Sequence, residues 1–121
     1  MKNENMYKIT QYDKGITIIE EEGVRFFILT GAKEAILLDT GYGSGSVLEL
    51  LEKYAPNLDV KVFITHPDMD HTGAAKLFDE VYIHPSDFAQ FRQDFDDKGI
   101  KLIPIYENDK FDLGGRVWEV I

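Results

Sequence analysis

Two of the three histidines in this chain and two of its aspartates lie within six consecutive residues. The segment runs Thr65-His66-Pro67-Asp68-Met69-Asp70-His71-Thr72-Gly73. Imidazole and carboxylate groups at this density favour a metal site, and together they suit zinc, iron or manganese. The chain contains no cysteine, which excludes disulfides, thiolate nucleophiles and cysteine-bound zinc.

The spacing of these side chains predicts how they would share metal ions. After an extended strand, residues two apart point the same way, so His66 and Asp68 can converge on one ion. Asp70 and His71 then turn toward a second ion. Two ions roughly 3.5–4 Å apart would bridge and deprotonate a water, which makes hydrolysis the expected chemistry. Each residue taken singly also fits an ordinary loop histidine, turn former or cap, but the combination favours the metal site.

Strands and helices around this segment are predicted from apolar periodicity and glycine turns. The strand Val60 to Ile64 leads directly into the histidine-aspartate loop. Ser46 and Glu49 form a capping box that begins a helix ending before Pro56. Gly73 to Phe78 is predicted to be a short helical stretch, and Ser86 to Phe95 a second helix with Phe88, Phe91 and Phe95 on one core-facing side. Further predicted strands are Tyr7 to Gln11, Ile16 to Glu20, Val24 to Thr30, Glu34 to Asp39, Val81 to Ile83, Lys101 to Ile105, Lys110 to Leu113 and Arg116 to Ile121.

Length and composition set the remaining limits. The 121 residues, 44% of them hydrophobic, predict a single globular domain over 1–121. A formal charge of −9 disfavours binding to nucleic acid or to an anionic membrane. No secretory h-region and no apolar run long enough to span a bilayer is present, so a cytoplasmic protein is expected.

Three segments of the sequence resemble those of a known family. Thr65 to Gly73 resembles the H-x-H-x-D-H-x-G signature of the metallo-β-lactamase superfamily. Leu37-Leu38-Asp39-Thr40-Gly41 resembles that family's apolar-Asp-Thr-Gly loop, and Val81-Tyr82-Ile83-His84-Pro85 resembles the strand after the motif helix. The resemblance implies an α/β (α+β) fold, the N-terminal half of the αββα sandwich, with a mixed sheet, antiparallel N-terminal strands and two main helices.

The same resemblance implies roles for individual residues. His66 and Asp68 would bind the first metal, and Asp70 and His71 the second, with Asp70 also orienting the attacking water. Asp39 would hold the histidine loop from behind by hydrogen bonds, although a simple strand-end cap is an equally open interpretation. Two divalent ions are implied for the intact protein, zinc first, with iron or manganese as alternatives.

Two departures from the family pattern qualify these expectations. Asp68 stands where the pattern has a second histidine, which adds negative charge and favours iron or manganese. The later histidines and the bridging aspartate of the family have no counterpart. We therefore expect an N-terminal half of a longer protein, in which an uncovered apolar face would cause self-association.

These observations give a leading function and two alternatives. The leading hypothesis is the N-terminal part of a metal-dependent hydrolase acting on a small-molecule ester, thioester, lactone, amide or phosphodiester, with little activity in this piece alone. The alternatives are an iron-dependent oxygen or sulfur redox enzyme on the same fold, and a non-catalytic metal-binding or interaction module. His84 is expected to fix the turn at Pro85, with a ligand role as the alternative.

Overall fold

A seven-stranded mixed sheet forms the centre of the protein in a computed structural model, which describes residues 7–42, 45–66, 73–94 and 99–120. Helices α1 and α2 span Val47–Tyr54 and Phe88–Asp94. The strands are β1 (Lys8–Asp13), β2 (Ile16–Glu21), β3 (Val24–Thr30), β4 (Glu34–Leu38), β5 (Asp59–Phe63), β6 (Glu80–Ile83), β7 (Lys101–Pro104), β8 (Lys110–Asp112) and β9 (Val117–Glu119). Within these described residues, no helix has the length and apolar character that crossing a membrane requires.

The order of the strands in the sheet follows their order in the chain, from β1 to β7. Strands β1 to β4 pair antiparallel, as the closely spaced glycine turns predicted, and β4 to β7 pair parallel. Parallel neighbours need crossover connections, which α1 supplies between β4 and β5 and α2 supplies between β6 and β7. The mixed sheet with antiparallel N-terminal strands and two helices is thereby confirmed.

Both helices pack on one face of the sheet. Ser46 caps α1 by accepting the Glu49 N–H at 3.2 Å, which is half of the predicted capping box. Val47, Leu50 and Leu51 of α1 join Phe91 of α2 in the larger of two hydrophobic clusters. Phe88 also packs against this cluster, whereas Phe95 lies outside the described residues. Phe88 and Phe91 are therefore part of the core, as their helical spacing predicted.

A β-hairpin covers part of the opposite face. Strands β8 and β9 form a separate two-stranded antiparallel sheet. Phe111 of this hairpin packs edge-on against Phe63, with ring centroids 4.8 Å apart. The hairpin turn is fastened to the β3–β4 turn, where the Leu113 carbonyl accepts the Lys33 N–H at 3.0 Å. Residues of both faces alternate along β3 and β4, so apolar side chains of these strands enter both hydrophobic clusters.

Candidate metal centre

The candidate site lies at the edge of the sheet where the parallel strands end. Asp39 follows β4, Thr65 and His66 follow β5, and His84 follows β6. Functional groups in sheets with parallel strands commonly collect at the carboxyl ends of the strands. Three of the predicted metal ligands, Asp68, Asp70 and His71, lie outside the described residues.

Asp39 binds the first residue of the histidine-aspartate loop. Its side chain is buried, with 5% exposure, and its backbone adopts the left-handed conformation with φ of 65°. Its Oδ1 accepts the Thr65 N–H at 2.8 Å, and its Oδ2 accepts the Thr65 hydroxyl at 2.6 Å. Asp39 thus fixes both the backbone and the side chain of Thr65, immediately before His66.

These hydrogen bonds determine where the proton of His66 sits. The Thr65 hydroxyl has a single hydrogen, and it points to Asp39, because an ionised carboxylate can only accept. The same oxygen lies 3.0 Å from His66 Nδ1, so toward that nitrogen it can only act as an acceptor. In the neutral ring, this arrangement assigns the proton to Nδ1 and leaves the lone pair on Nε2.

This is the arrangement expected of an imidazole that binds a metal. Such a histidine commonly donates its other ring N–H to an oxygen that fixes the ring's orientation and tautomer. The Asp39–Thr65–His66 chain supplies that oxygen. The described part of the site therefore fits a metal held by Nε2 of His66, an exposed residue at the edge of the sheet.

The far end of the loop is attached to the same short segment as its beginning. The Gly73 N–H donates to the Gly41 carbonyl at 2.7 Å, and the Ala74 N–H donates to the buried hydroxyl of Thr40 at 3.0 Å. Gly73 lies so close to Tyr42 that a β-carbon at this position would overlap the Tyr42 carbonyl. Residues 39–41 therefore hold the loop at both ends.

A buried carboxylate supports this segment in turn. Glu21, at the end of β2, is fully buried and accepts the Tyr42 N–H at 2.7 Å. Nearby, the Tyr7 hydroxyl accepts the Gly45 N–H at 3.2 Å. Burial, and next the charge of Glu21, raise the pKa of Tyr7 to about 12.

Sequence analysis did not single out Glu21. A signal was present, since Thr17, Ile19 and Glu21 alternate along β2 and all three side chains are buried. A carboxylate at an inward-facing strand position indicates a positioning group, because a buried carboxylate needs hydrogen-bond donors around it.

His84 serves as a cap in the structure. Its Nδ1 accepts the Ser86 N–H at 3.1 Å and lies 2.8 Å from the Ser86 hydroxyl. Pro85 begins a short 3₁₀ turn that leads into α2. The expectation that His84 fixes this turn is confirmed.

In residues 7–42, 45–66, 73–94 and 99–120, no three His, Asp or Glu side chains come together as a metal-binding group. The predicted ligand set cannot form from these residues alone, because three of its four members lie elsewhere in the sequence. The structure does describe the residues that hold the two ends of the loop by hydrogen bonds.

A mixed sheet with two helices on one face places Asp39, Thr65 and Gly73, which hold the two ends of the His/Asp segment, near the carboxyl ends of the parallel strands. The profile of the metallo-beta-lactamase superfamily matches residues 20–87, which is more than half of the chain. The chain belongs to this superfamily. No curated protein matches the sequence significantly.

Solved structures of the same fold agree with this assignment. A metallo-beta-lactamase from Pontibacter korlensis superposes with a TM-score of 0.70 at 18% identity, covering 93% of this chain and 58% of its own. A putative diflavin flavoprotein (fragment 1–254) from Nostoc sp. PCC 7120 gives 0.70 at 15% identity, covering 93% and 55%. A metallo-beta-lactamase from Hirschia baltica gives 0.62 at 11% identity, covering 88% and 57%. The chain thus spans little more than half the length of these structures.

Proposed function

We propose that this chain is the N-terminal part of a metal-dependent hydrolase that cleaves a small-molecule ester, thioester, lactone, amide or phosphodiester. The observation that carries the proposal is the Asp39–Thr65–His66 hydrogen-bond chain, which prepares Nε2 of His66 for a metal. A cap at a strand end would need only the bond to the Thr65 N–H. The additional bond to the hydroxyl, and its continuation to the imidazole, favour a positioning function for Asp39.

Each residue then has a defined task. His66 and Asp68 would hold one divalent ion, and Asp70 and His71 a second, with Asp70 also orienting the attacking water. When bound, such ions polarise the scissile bond and lower the pKa of a coordinated water. Asp39 and Thr65 keep the His66 ring in the correct tautomer and orientation. Thr40 and Gly41 fix the end of the loop at which it rejoins the described structure.

The family assignment supports this proposal. We propose that the chain supplies only part of the metal site. Because the chain spans just over half of the structures it resembles, we expect it to bind metal weakly and to hydrolyse model substrates poorly by itself. Turnover comparable with that of ordinary enzymes would contradict this expectation.

The test is metal binding by the untagged chain, measured by competition with a chromophoric chelator for zinc, manganese and ferrous iron. Substituting His66→Ala or His71→Ala should lower the affinity at least tenfold, since each removes a predicted ligand. His84→Ala is the matched control. It removes a histidine from the same edge of the sheet, but one whose ring is hydrogen-bonded within its own turn. Unchanged affinity and stability in both loop variants would show that the loop is structural, and would favour a non-catalytic module.

The second candidate is iron-dependent oxygen or sulfur redox chemistry. Asp68 favours it, because a carboxylate in place of an imidazole shifts the donor set toward harder metals such as iron or manganese. The similarity to the putative diflavin flavoprotein is compatible with it. Metal analysis after anaerobic purification separates the two candidates. Predominant iron with a visible absorption band would favour redox chemistry, and predominant zinc would favour hydrolysis.

A further inference from the structure

Glu21 lies at the same edge of the sheet as the candidate metal centre. Strand β3 pairs antiparallel with both β2 and β4, so β2 and β4 run in the same direction. Glu21 is the last residue of β2, and Asp39 is the first residue after β4. The Glu21 side chain is fully buried and shares a face of β2 with Ile19, which belongs to the cluster that includes both helices.

Glu21 and its buried neighbours Tyr7 and Phe26 form a support beneath the loop that follows β4. The Tyr7 and Phe26 rings pack edge to face with centroids 5.9 Å apart, and each is at most 6% exposed. A β-carbon added to Gly41 would overlap Glu21 Oε1 and crowd the Phe26 ring. One added to Gly45 would overlap the Tyr7 ring. At these two positions the backbone therefore approaches the support as closely as only glycine allows.

The Gly41–Tyr42 peptide unit joins Glu21 to the far end of the histidine-aspartate loop. Its N–H, from Tyr42, donates to Glu21 Oε1 at 2.7 Å. Its carbonyl, from Gly41, accepts the Gly73 N–H, also at 2.7 Å. Because a peptide unit is planar and rigid, an acceptor that fixes its N–H also fixes the direction of its carbonyl. Glu21 thereby determines where the acceptor of the Gly73 N–H lies.

The charge of Glu21 should strengthen this attachment. A charged acceptor binds the Tyr42 N–H more strongly than a neutral one, and hydrogen bonds in series polarise one another. The polarised peptide unit presents a more negative carbonyl oxygen to Gly73. Burying a carboxylate costs stability that a packed apolar side chain of similar length would not cost, and such exceptions are typical of functional sites.

The two ends of the histidine-aspartate loop are thus attached in similar ways. Asp39 holds Thr65 by two hydrogen bonds at the beginning, and Glu21 holds Gly73 through one peptide unit at the end. Both attachments lead back to a buried carboxylate. In the sequence, three of the four predicted metal ligands lie between these two ends, so both attachments limit the positions that the ligands can take.

We propose that Glu21 is a positioning residue of the metal centre, which fixes the end of the histidine-aspartate loop through the Gly41–Tyr42 peptide unit. The inference rests on the proposed function, because it requires that this loop binds metal. It adds to the site a residue of β2 that neither the metal motif nor the loop after β4 contains. Tyr7 and Phe26 assist by packing beneath the same loop.

The experiment compares two substitutions of Glu21 with one of its neighbour. Glu21→Gln keeps an acceptor for the Tyr42 N–H but loses the charge. Glu21→Met keeps the length of the side chain but loses the acceptor. Glu20→Gln is the matched control, because Glu20 precedes Glu21 in β2, faces the other way and pairs with Arg25 at 3.6 Å. Circular dichroism and urea denaturation verify that each variant is folded.

Amide hydrogen exchange of the metal-free chain, followed by NMR, reports on the attachment without depending on the metal. The reference is the Lys33 amide, which binds the Leu113 carbonyl at the other end of the sheet. Relative to this reference, the Gly73 amide should exchange about tenfold faster in Glu21→Met. Glu21→Gln should have a smaller effect in the same direction, and Glu20→Gln none. A loss of overall stability alone would accelerate both amides equally.

Metal affinity, measured by chelator competition, is the second readout. Glu21→Met should lower it about tenfold, the lower end of the usual effect of losing a group that orients a ligand. Glu21→Gln should lower it less, because an acceptor for the Tyr42 N–H remains. This partial rescue by the conservative substitution would support positioning by the hydrogen bond, and Glu20→Gln should leave the affinity unchanged.

Gly73 exchange that stays unchanged relative to Lys33 in both Glu21 variants would overturn the proposal, and so would an equal effect of Glu20→Gln. Metal affinity that responds to His66→Ala but not to Glu21→Met would also overturn it, while leaving the proposed function intact. Affinity that does not respond to His66→Ala would contradict the proposed function, and this proposal with it.

Discussion

Asp39→Asn tests the hydrogen-bond chain behind His66 with little disturbance of the backbone. Asparagine tolerates the left-handed conformation that Asp39 adopts, so the substitution should add no strain. Its amide oxygen can still accept the Thr65 N–H. Its NH₂ group, however, must donate to the Thr65 hydroxyl oxygen, which reverses the direction of that bond.

The reversal should move the proton of His66. The Thr65 hydroxyl, now an acceptor toward Asn, would donate its own hydrogen to His66 Nδ1. The ring proton would then sit on Nε2, the nitrogen that metal binding requires to be unprotonated. Nitrogen-15 NMR of the metal-free protein at alkaline pH, where imidazole is neutral, distinguishes the two tautomers directly.

The energetic consequences follow from the bonds that change. Two hydrogen bonds to a charged carboxylate, each contributing about 1.5–3 kcal/mol, become neutral ones of about 1 kcal/mol. The free energy of unfolding should fall by about 1–4 kcal/mol, measured by urea denaturation. Metal affinity should fall by about 10–100-fold, the usual effect of removing a group that orients a ligand.

Asp112→Asn is the matched control. Asp112 also accepts two hydrogen bonds, from the N–H groups of Gly114 and Gly115, but it is exposed and lies at the end of β8, next to the hairpin turn. It should leave the His66 tautomer and metal affinity unchanged. If Asp39→Asn leaves the tautomer unchanged, the deduction from hydrogen-bond directions is wrong, whatever happens to stability.

Two further predictions concern the support of the loop. Gly73→Ala should destabilise the protein by at least about 2 kcal/mol in urea denaturation and weaken metal binding, because the added methyl group would overlap the Tyr42 carbonyl. Gly99→Ala is the control, because a β-carbon added there meets no described atom within 4 Å beyond its chain neighbours, and only the positive φ is costly. It should lose about 1–2 kcal/mol and leave metal binding intact. Equal effects of the two substitutions on metal binding would contradict the steric argument. Folding raises the pKa of Tyr7 from the ordinary value of 10.0 to about 12, so the neutral phenol contributes to stability. That contribution is complete below pH 10 and should be lost as the pH rises from about 10 through about 12. Tyr7→Phe should remove the late step from an ultraviolet phenol titration and flatten the alkaline stability profile, and a titration unchanged in Tyr7→Phe would show that another tyrosine is responsible.

The periodicity of the sequence predicted most of the secondary structure. Glycine turns and alternating apolar residues gave the first four strands to within one or two residues, since these signals depend on local backbone geometry. The last predicted strand, Arg116 to Ile121, is shorter in the structure, at Val117–Glu119. Arg116 instead closes the hairpin turn, where its carbonyl accepts the Leu113 N–H at 2.7 Å, a contact that strand propensity does not contain.

The residue types between His66 and His71 predict a metal site, which stays a prediction. Together with the segment around Asp39 they also predicted the superfamily, and the family profile confirms it. Spacing along a strand and its following loop is local, and the sequence displays it directly. Partners distant in the chain are different. Asp39 fixes Thr65, Glu21 binds the Tyr42 N–H, and Trp118 packs against the cluster that contains Ile36 and Phe63. These contacts depend on how strands far apart in sequence pair and pack. Only the tertiary structure decides these contacts, because hydrogen bonding and burial act between atoms that the order of residues does not bring together.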